Sequence, residues 1–255
     1  FGKNSKIQIK KMKGAFQTNK MLTFKDIKNK FISLEDLPYY NALSKGEFNI
    51  EDTMRAQLQD LGRALGCQGL RDIQISKLTN AFNQNIINVN DYKVLLATIK
   101  DEDASHNRQS HLDMRLQIFE GICPKDILLN VNPLPQVKRA NNCFRDIFNR
   151  SLLEITAAVG AIERWYFPVA EFLEEQYLKR GYTSRQVYTY TIHKVADIEH
   201  SSVALDFVFR NVKNNKEKQK VIKAVEDAFK TTKIYDEARY IAAKDKQRTF
   251  ESYLK

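Results

Sequence analysis

From about residue 24 onward, apolar side chains recur at intervals of three and four rather than two, the period of amphipathic α-helices and not of strands. The pattern predicts helices over 24–44, interrupted near Pro38, then from about 50 to 65, and over 72–86, 90–101, 109–121, 140–179, 184–211 and 216–254. Local punctuation supports this division. Ser44, Lys45 and Gly46 read as a turn, Asn49 to Asp52 as a helix start with early acids, and Gly66 and Gly69 as the close of the helix that follows. Residues 123–126 and 130–135 read as loops. Nine Gly and five Pro are few for 255 residues, and hairpin signals are lacking. The expected architecture is an all-α bundle of seven or eight helices without an internal repeat.

A chain of 255 residues can bury one sizeable core. It has no apolar run long enough to cross a membrane. Cys67, Cys123 and Cys143 are scattered and odd in number, which suits free thiols in a reducing, cytoplasmic setting. None has the paired spacing of a thiolate metal site. The net charge of +10 suggests an anionic partner at first sight. Its distribution argues otherwise, because residues 1–30 hold nine Lys against Asp26 alone, leaving 32 basic and 30 acidic residues over 31–255. The chain therefore divides into a basic N-terminal extension, 1–30, and a nearly neutral helical domain, 31–255. Without basic residues interleaved with aromatics, neither nucleic acid nor membrane is an expected partner.

The chemistry concentrates at His193, Asp197 and His200. Offsets of four and seven residues return side chains to one face of a helix. Two imidazoles and a carboxylate on one stripe form a ligand set for a first-row transition metal. A solvated polar stripe is the alternative, and Ile192, Val195, Ala196, Val203 and Ala204 argue against it by surrounding the stripe with apolar residues. Only four His occur. His111 opens a helical stretch, preceded by His106 and by the acids Asp101, Glu102 and Asp103. Glu163 shares a helix face with Thr156 and Gly160, small residues that leave room beside a carboxylate. A buried carboxylate needs a cation, so Glu163 serves either a metal or a salt bridge to a nearby Lys or Arg.

Together these segments resemble the haem-oxygenase-like diiron oxidases and oxygenases, relatives in fold of the TenA and PqqC proteins. The resemblance spans roughly residues 35–210. Residues 39–48 resemble the end of the family's first helix. Lys100 to Asp103 followed by His111 resembles its acid-then-histidine helix, and Ala161 to Glu163, with Pro168 beyond, its central glutamate helix. His193, Asp197 and His200 match its final motif. The resemblance implies six metal ligands: Glu102, His111, Glu163, His193, Asp197 and His200. It further implies two ferrous ions, manganese being an alternative at one position, with O2 as co-substrate. One departure stands out. The family places its first acid seven residues before the histidine, where this chain has Ala104. Glu102 lies nine residues before His111, on the opposite helix face, so the backbone between them must leave regular helix if Glu102 is a ligand. His106 is then a spectator, or a substitute for that ligand.

The resemblance implies an O2-dependent oxidoreductase that oxidises or cleaves a small amino-acid-like or aromatic substrate, with p-aminobenzoate synthesis among the activities of the family, in a homodimer. It places a catalytic tyrosine at Tyr40, six residues before Gly46, although Tyr40 can equally be a packing residue. The lysine that accompanies that tyrosine in the family is either replaced here by Glu174 or shifted along the chain. Trp165, Tyr166, Phe167, Tyr188 and Tyr190 are candidate pocket residues. The competing reading is a metal-free binding or cofactor-biosynthesis protein of the TenA or PqqC kind.

Overall fold

The computed structural model describes residues 21–101 and 110–254. In chain order these form α1 (Phe24–Lys28), α2 (Pro38–Ser44), α3 (Ile50–Gly66), α4 (Leu70–Asn83), α5 (Val89–Asp101), α6 (His111–Gln117), α7 (Lys125–Leu128), α8 (Pro135–Phe148), α9 (Leu152–Leu178), α10 (Tyr188–Asn211) and α11 (Asn215–Lys244). Short 3-10 turns cover Leu34–Asp36 and Phe250–Tyr253. An isolated bridge between Val131 and Leu254 is the only β pairing among the described residues. Seven of the helices have 13 residues or more, in keeping with the expected bundle.

Side-chain caps set several boundaries. Asn49 and Asp52 form a reciprocal box at the start of α3, each accepting the other's backbone N–H at 3.0 Å. Ser151 and Glu154 do the same for α9. That box divides the single helix expected over 140–179 into α8 and α9. The helix expected over 216–254 ends at Lys244 instead, and the one expected over 24–44 resolves into α1, a 3-10 turn and α2. The helix expected over 109–121 is only His111–Gln117. Leu37, the N-cap of α2, makes no side-chain cap bond. Asp236 supplies one from α11, its Oδ2 accepting the Tyr39 N–H at 3.1 Å.

The antiparallel pair α9 and α10 forms the central layer, with α11 packed across α9, α3 and α8. Gly160 sets the closeness of that pair, since a Cβ there would stand 2.8 Å from the Ala204 Cβ. The folded body extends further toward the N-terminus than residue 31. Leu22 and Ile27 are fully buried, and Asp26 pairs with Lys218 at 3.1 Å. Residues 21–30 thus pack on the helical body through Leu22 and Ile27. No described helix is long and apolar enough to cross a membrane.

Candidate metal centre

The candidate ligands come from separate helices. α9 carries Glu163, α10 carries His193, Asp197 and His200, and α6 opens at His111. Residue Glu102, expected as the first acid, and His106 lie outside the described residues. Ser110 is extended and caps α6, accepting the Asp113 N–H at 3.1 Å, which fixes the helix start at His111.

The helical stripe is buried as its spacing suggested: Asp197 is only 2 % exposed, and His193 and His200 are nearly as enclosed. The imidazoles of His111 and His193 stack face to face, 4.8 Å between centroids and 9° between planes. Nδ1 of His193 lies 2.9 Å from Oδ1 of Asp197, one turn on. With Asp197 ionised, Nδ1 carries the proton and donates, and the ring lone pair resides on Nε2. Tyr166 meets the same ring edge-on at 5.6 Å. His200 lies 3.2 Å, Nε2 to Oδ2, from Asp101, the last residue of α5. Glu163 receives Arg71 Nη2 at 3.5 Å, while Arg71 Nη1 donates to Gln74 at 3.0 Å. The salt-bridge alternative for Glu163 is therefore realised by an arginine 92 positions away.

Among the described residues, no three His, Cys, Asp or Glu side chains are drawn together tightly enough to form a ready metal cage. His111, Glu163, His193 and Asp197 nevertheless line one cavity of about 510 Å³, within the usual size range of small-molecule sites. Tyr40, Trp165, Tyr166 and Tyr190 also line it, whereas Phe167 and Tyr188 do not. The set of imidazole nitrogens and carboxylate oxygens suits iron or manganese by donor chemistry.

Sequence reading missed the polar wall facing this cluster. Asp60 accepts from Arg115 and from the Tyr235 hydroxyl, and lies 3.4 Å from Arg63 Nε. Burial works to raise the Asp60 carboxyl, but Arg115, Arg63 and Arg239 outweigh it and hold it well below the usual carboxylate range. Gln57 donates to the Tyr190 hydroxyl at 2.8 Å. Tyr40 is buried, and its hydroxyl accepts from Arg239 Nη1 at 3.0 Å. Burial pushes the Tyr40 phenol up, against the pull of Arg239. Glu174 accepts from Thr191 and Lys194 and does not line the cavity.

The arrangement of long paired helices around this cavity is a haem-oxygenase-like fold. Solved structures share it. A CADD-like protein of unknown function from Nostoc punctiforme matches with a TM-score of 0.62 and 16 % identity, over 83 % of this chain and 90 % of that one. A domain of unknown function with a haem-oxygenase-like fold from Shewanella denitrificans matches with a TM-score of 0.64 and 13 % identity, over 84 % and 89 %. No family model matches the chain, and no curated protein does.

Proposed function

We propose that the chain is a non-haem diiron oxidase or oxygenase acting on a small organic substrate held in the central cavity. The observation that carries this reading is the convergence of His111, Glu163, His193 and Asp197 on one cavity, with the His200–Asp101 pair further along α10 and α5. His111, His193, His200, Glu163 and Asp197 would hold the metal, with an acid at the end of α5 completing the set. Asp101 is a candidate alongside Glu102, because its carboxylate already lies beside His200. When bound, a ferrous pair supplies the electrons and the open coordination positions that O2 reduction needs.

The protein's own groups have distinct parts. Asp197 fixes the His193 ring and its tautomer. Arg71 balances the Glu163 charge across the cavity wall. Tyr166 buttresses the His193 ring, and Trp165, with its Nε1 donating to the Ile32 carbonyl at 2.7 Å, closes the wall behind it. These packed rings exclude bulk water from the space where a substrate would sit.

Anaerobic titration of the full chain with ferrous ion, followed by metal analysis after desalting, tests the reading. Two irons per chain, and O2 consumption on mixing with air, are expected. Asp197→Ala should lose both while far-UV dichroism stays that of the parent. A chain that retains no iron refutes the oxidase and leaves the metal-free binding protein.

A further inference from the structure

The cavity has a second, cationic pole. Arg115 stands four residues after His111 on α6, about 6 Å further along the helix at 1.5 Å per residue. It shares Asp60 with Arg63, so one carboxylate serves two guanidiniums. Arg239 of α11 is a third, only 2 % exposed. Its Nη1 donates to Tyr40 at 3.0 Å and its Nη2 to Tyr177 at 2.7 Å. Its carbon Cζ lies 4.1 Å from the centre of the Tyr39 ring, and its Nε is buried without an acceptor. Among the described residues no carboxylate ion-pairs with Arg239. Phenols and ring faces solvate a cation but do not neutralise it.

A buried guanidinium facing a cavity without a carboxylate in direct contact is costly, and an anion entering the cavity reduces that cost. Phe144, Ile147, Phe148, Val159 and Ile162 form an apolar stretch of the wall. Guanidiniums in excess of carboxylates beside an apolar wall match an anion with an apolar body better than a bare inorganic ion. We propose that the cavity's occupant is an organic acid whose carboxylate docks on Arg239 and Arg115, with its apolar body along Phe148 and Ile162. Placed so, the rest of the molecule lies about one helical turn from the His111–His193 pair. This names the substrate class of the oxidase proposed above and rests on that reading for its role as substrate. The binding itself needs no iron.

Trp165 is the chain's single tryptophan and lines the same cavity, so its fluorescence reports occupancy. The full chain would be titrated with phenylpropanoate and with its neutral analogue phenylpropanol, iron-free and ferrous-loaded. The acid is expected to bind at least roughly tenfold more tightly than the alcohol in the iron-free protein, the scale of one charged hydrogen-bond pair. Arg239→Gln should bring the acid down to the alcohol's level without changing the alcohol, and Arg239→Lys should restore part of the preference. Equal affinities overturn the proposal. So does a preference that survives Arg239→Gln, or no acid binding up to about 10 mM. If Arg239→Gln does not fold, the wild-type ratio and its loss in Arg115→Gln decide. Iron stoichiometry is read in parallel: an acid preference without iron binding overturns the oxidase alone, and iron binding without an acid preference overturns this inference alone.

Discussion

Asp236→Asn tests how the buried polar core is charged. Asp236 is fully buried, accepts the Tyr39 N–H through Oδ2, and lies one turn before Arg239 on α11. Burial pushes its carboxyl up from 3.8 to about 7, against the Arg239 charge and the Tyr39 hydrogen bond. A carboxyl raised on folding binds its proton more tightly in the folded chain. Its contribution to stability is complete below the unfolded value near 3.8 and is lost as pH rises through 7. At about 1.4 kcal/mol per pH unit, the loss between pH 4 and pH 8 approaches roughly 4 kcal/mol. The asparagine variant keeps an oxygen for the Tyr39 N–H and cannot ionise. The two proteins should therefore be nearly equally stable near pH 3.5, below the unfolded value. At pH 8 the variant should be the more stable, by up to roughly 4 kcal/mol, or about 10 °C in Tm for a chain of this size. Urea and thermal melts at half-unit pH steps measure the difference. A difference constant with pH would refute the reasoning. So would a wild type that gains on the variant as pH rises, because that result would mean an ionised Asp236 paired with Arg239.

Asp60→Asn removes the carboxylate that Arg115 and Arg63 share, and should cost roughly 3–5 kcal/mol in urea melts, as when one partner of a buried pair is deleted. Gly160→Val places a branched side chain where even a Cβ would stand 2.8 Å from Ala204, and should lower stability by about 3 kcal/mol or prevent folding, read by thermal melting. Arg71→Met frees Glu163 from its cation, and should tighten ferrous binding by roughly tenfold in anaerobic titration; weaker binding would show that Arg71 positions Glu163 for the metal instead.

The helical class and most helix starts were legible because they are local. The period of apolar residues and the Asn49–Asp52 box lie within a few positions of one another. The division of residues 140–179 was harder to see. No Gly or Pro marks it, and the apolar period runs through the gap. The legible signal was Ser151 followed three residues later by Glu154, a capping box inside an apparently continuous helix. The stripe of His193, Asp197 and His200 was legible for the same local reason. Arg71, Arg63, Arg115 and Arg239 were not. Each is an ordinary arginine on its own helix, and only the packing of four helices gives them a common cavity. Asp236 as the cap of α2 is equally invisible, since its partner lies 197 residues away.

That last separation carries a consequence for how the chain comes off the ribosome. Tyr39 meets Asp236 and Tyr40 meets Arg239 across 197 and 199 residues, and Arg55 donates to the carbonyls of Ala242 and Ala243 across 187 and 188. Synthesis at roughly 5–20 residues per second leaves α2 and α3 waiting about ten seconds or more for α11 to emerge. Until then the N-terminal helices hold unburied tyrosines, and Asp60 lacks its Tyr235 donor. Closure of so long a loop is slow, and it adds to the barrier before any contact repays it. A nascent chain stalled before residue 215 should therefore be bound by chaperones or proteases, and the cavity should appear only with the final helix, all at once rather than by degrees.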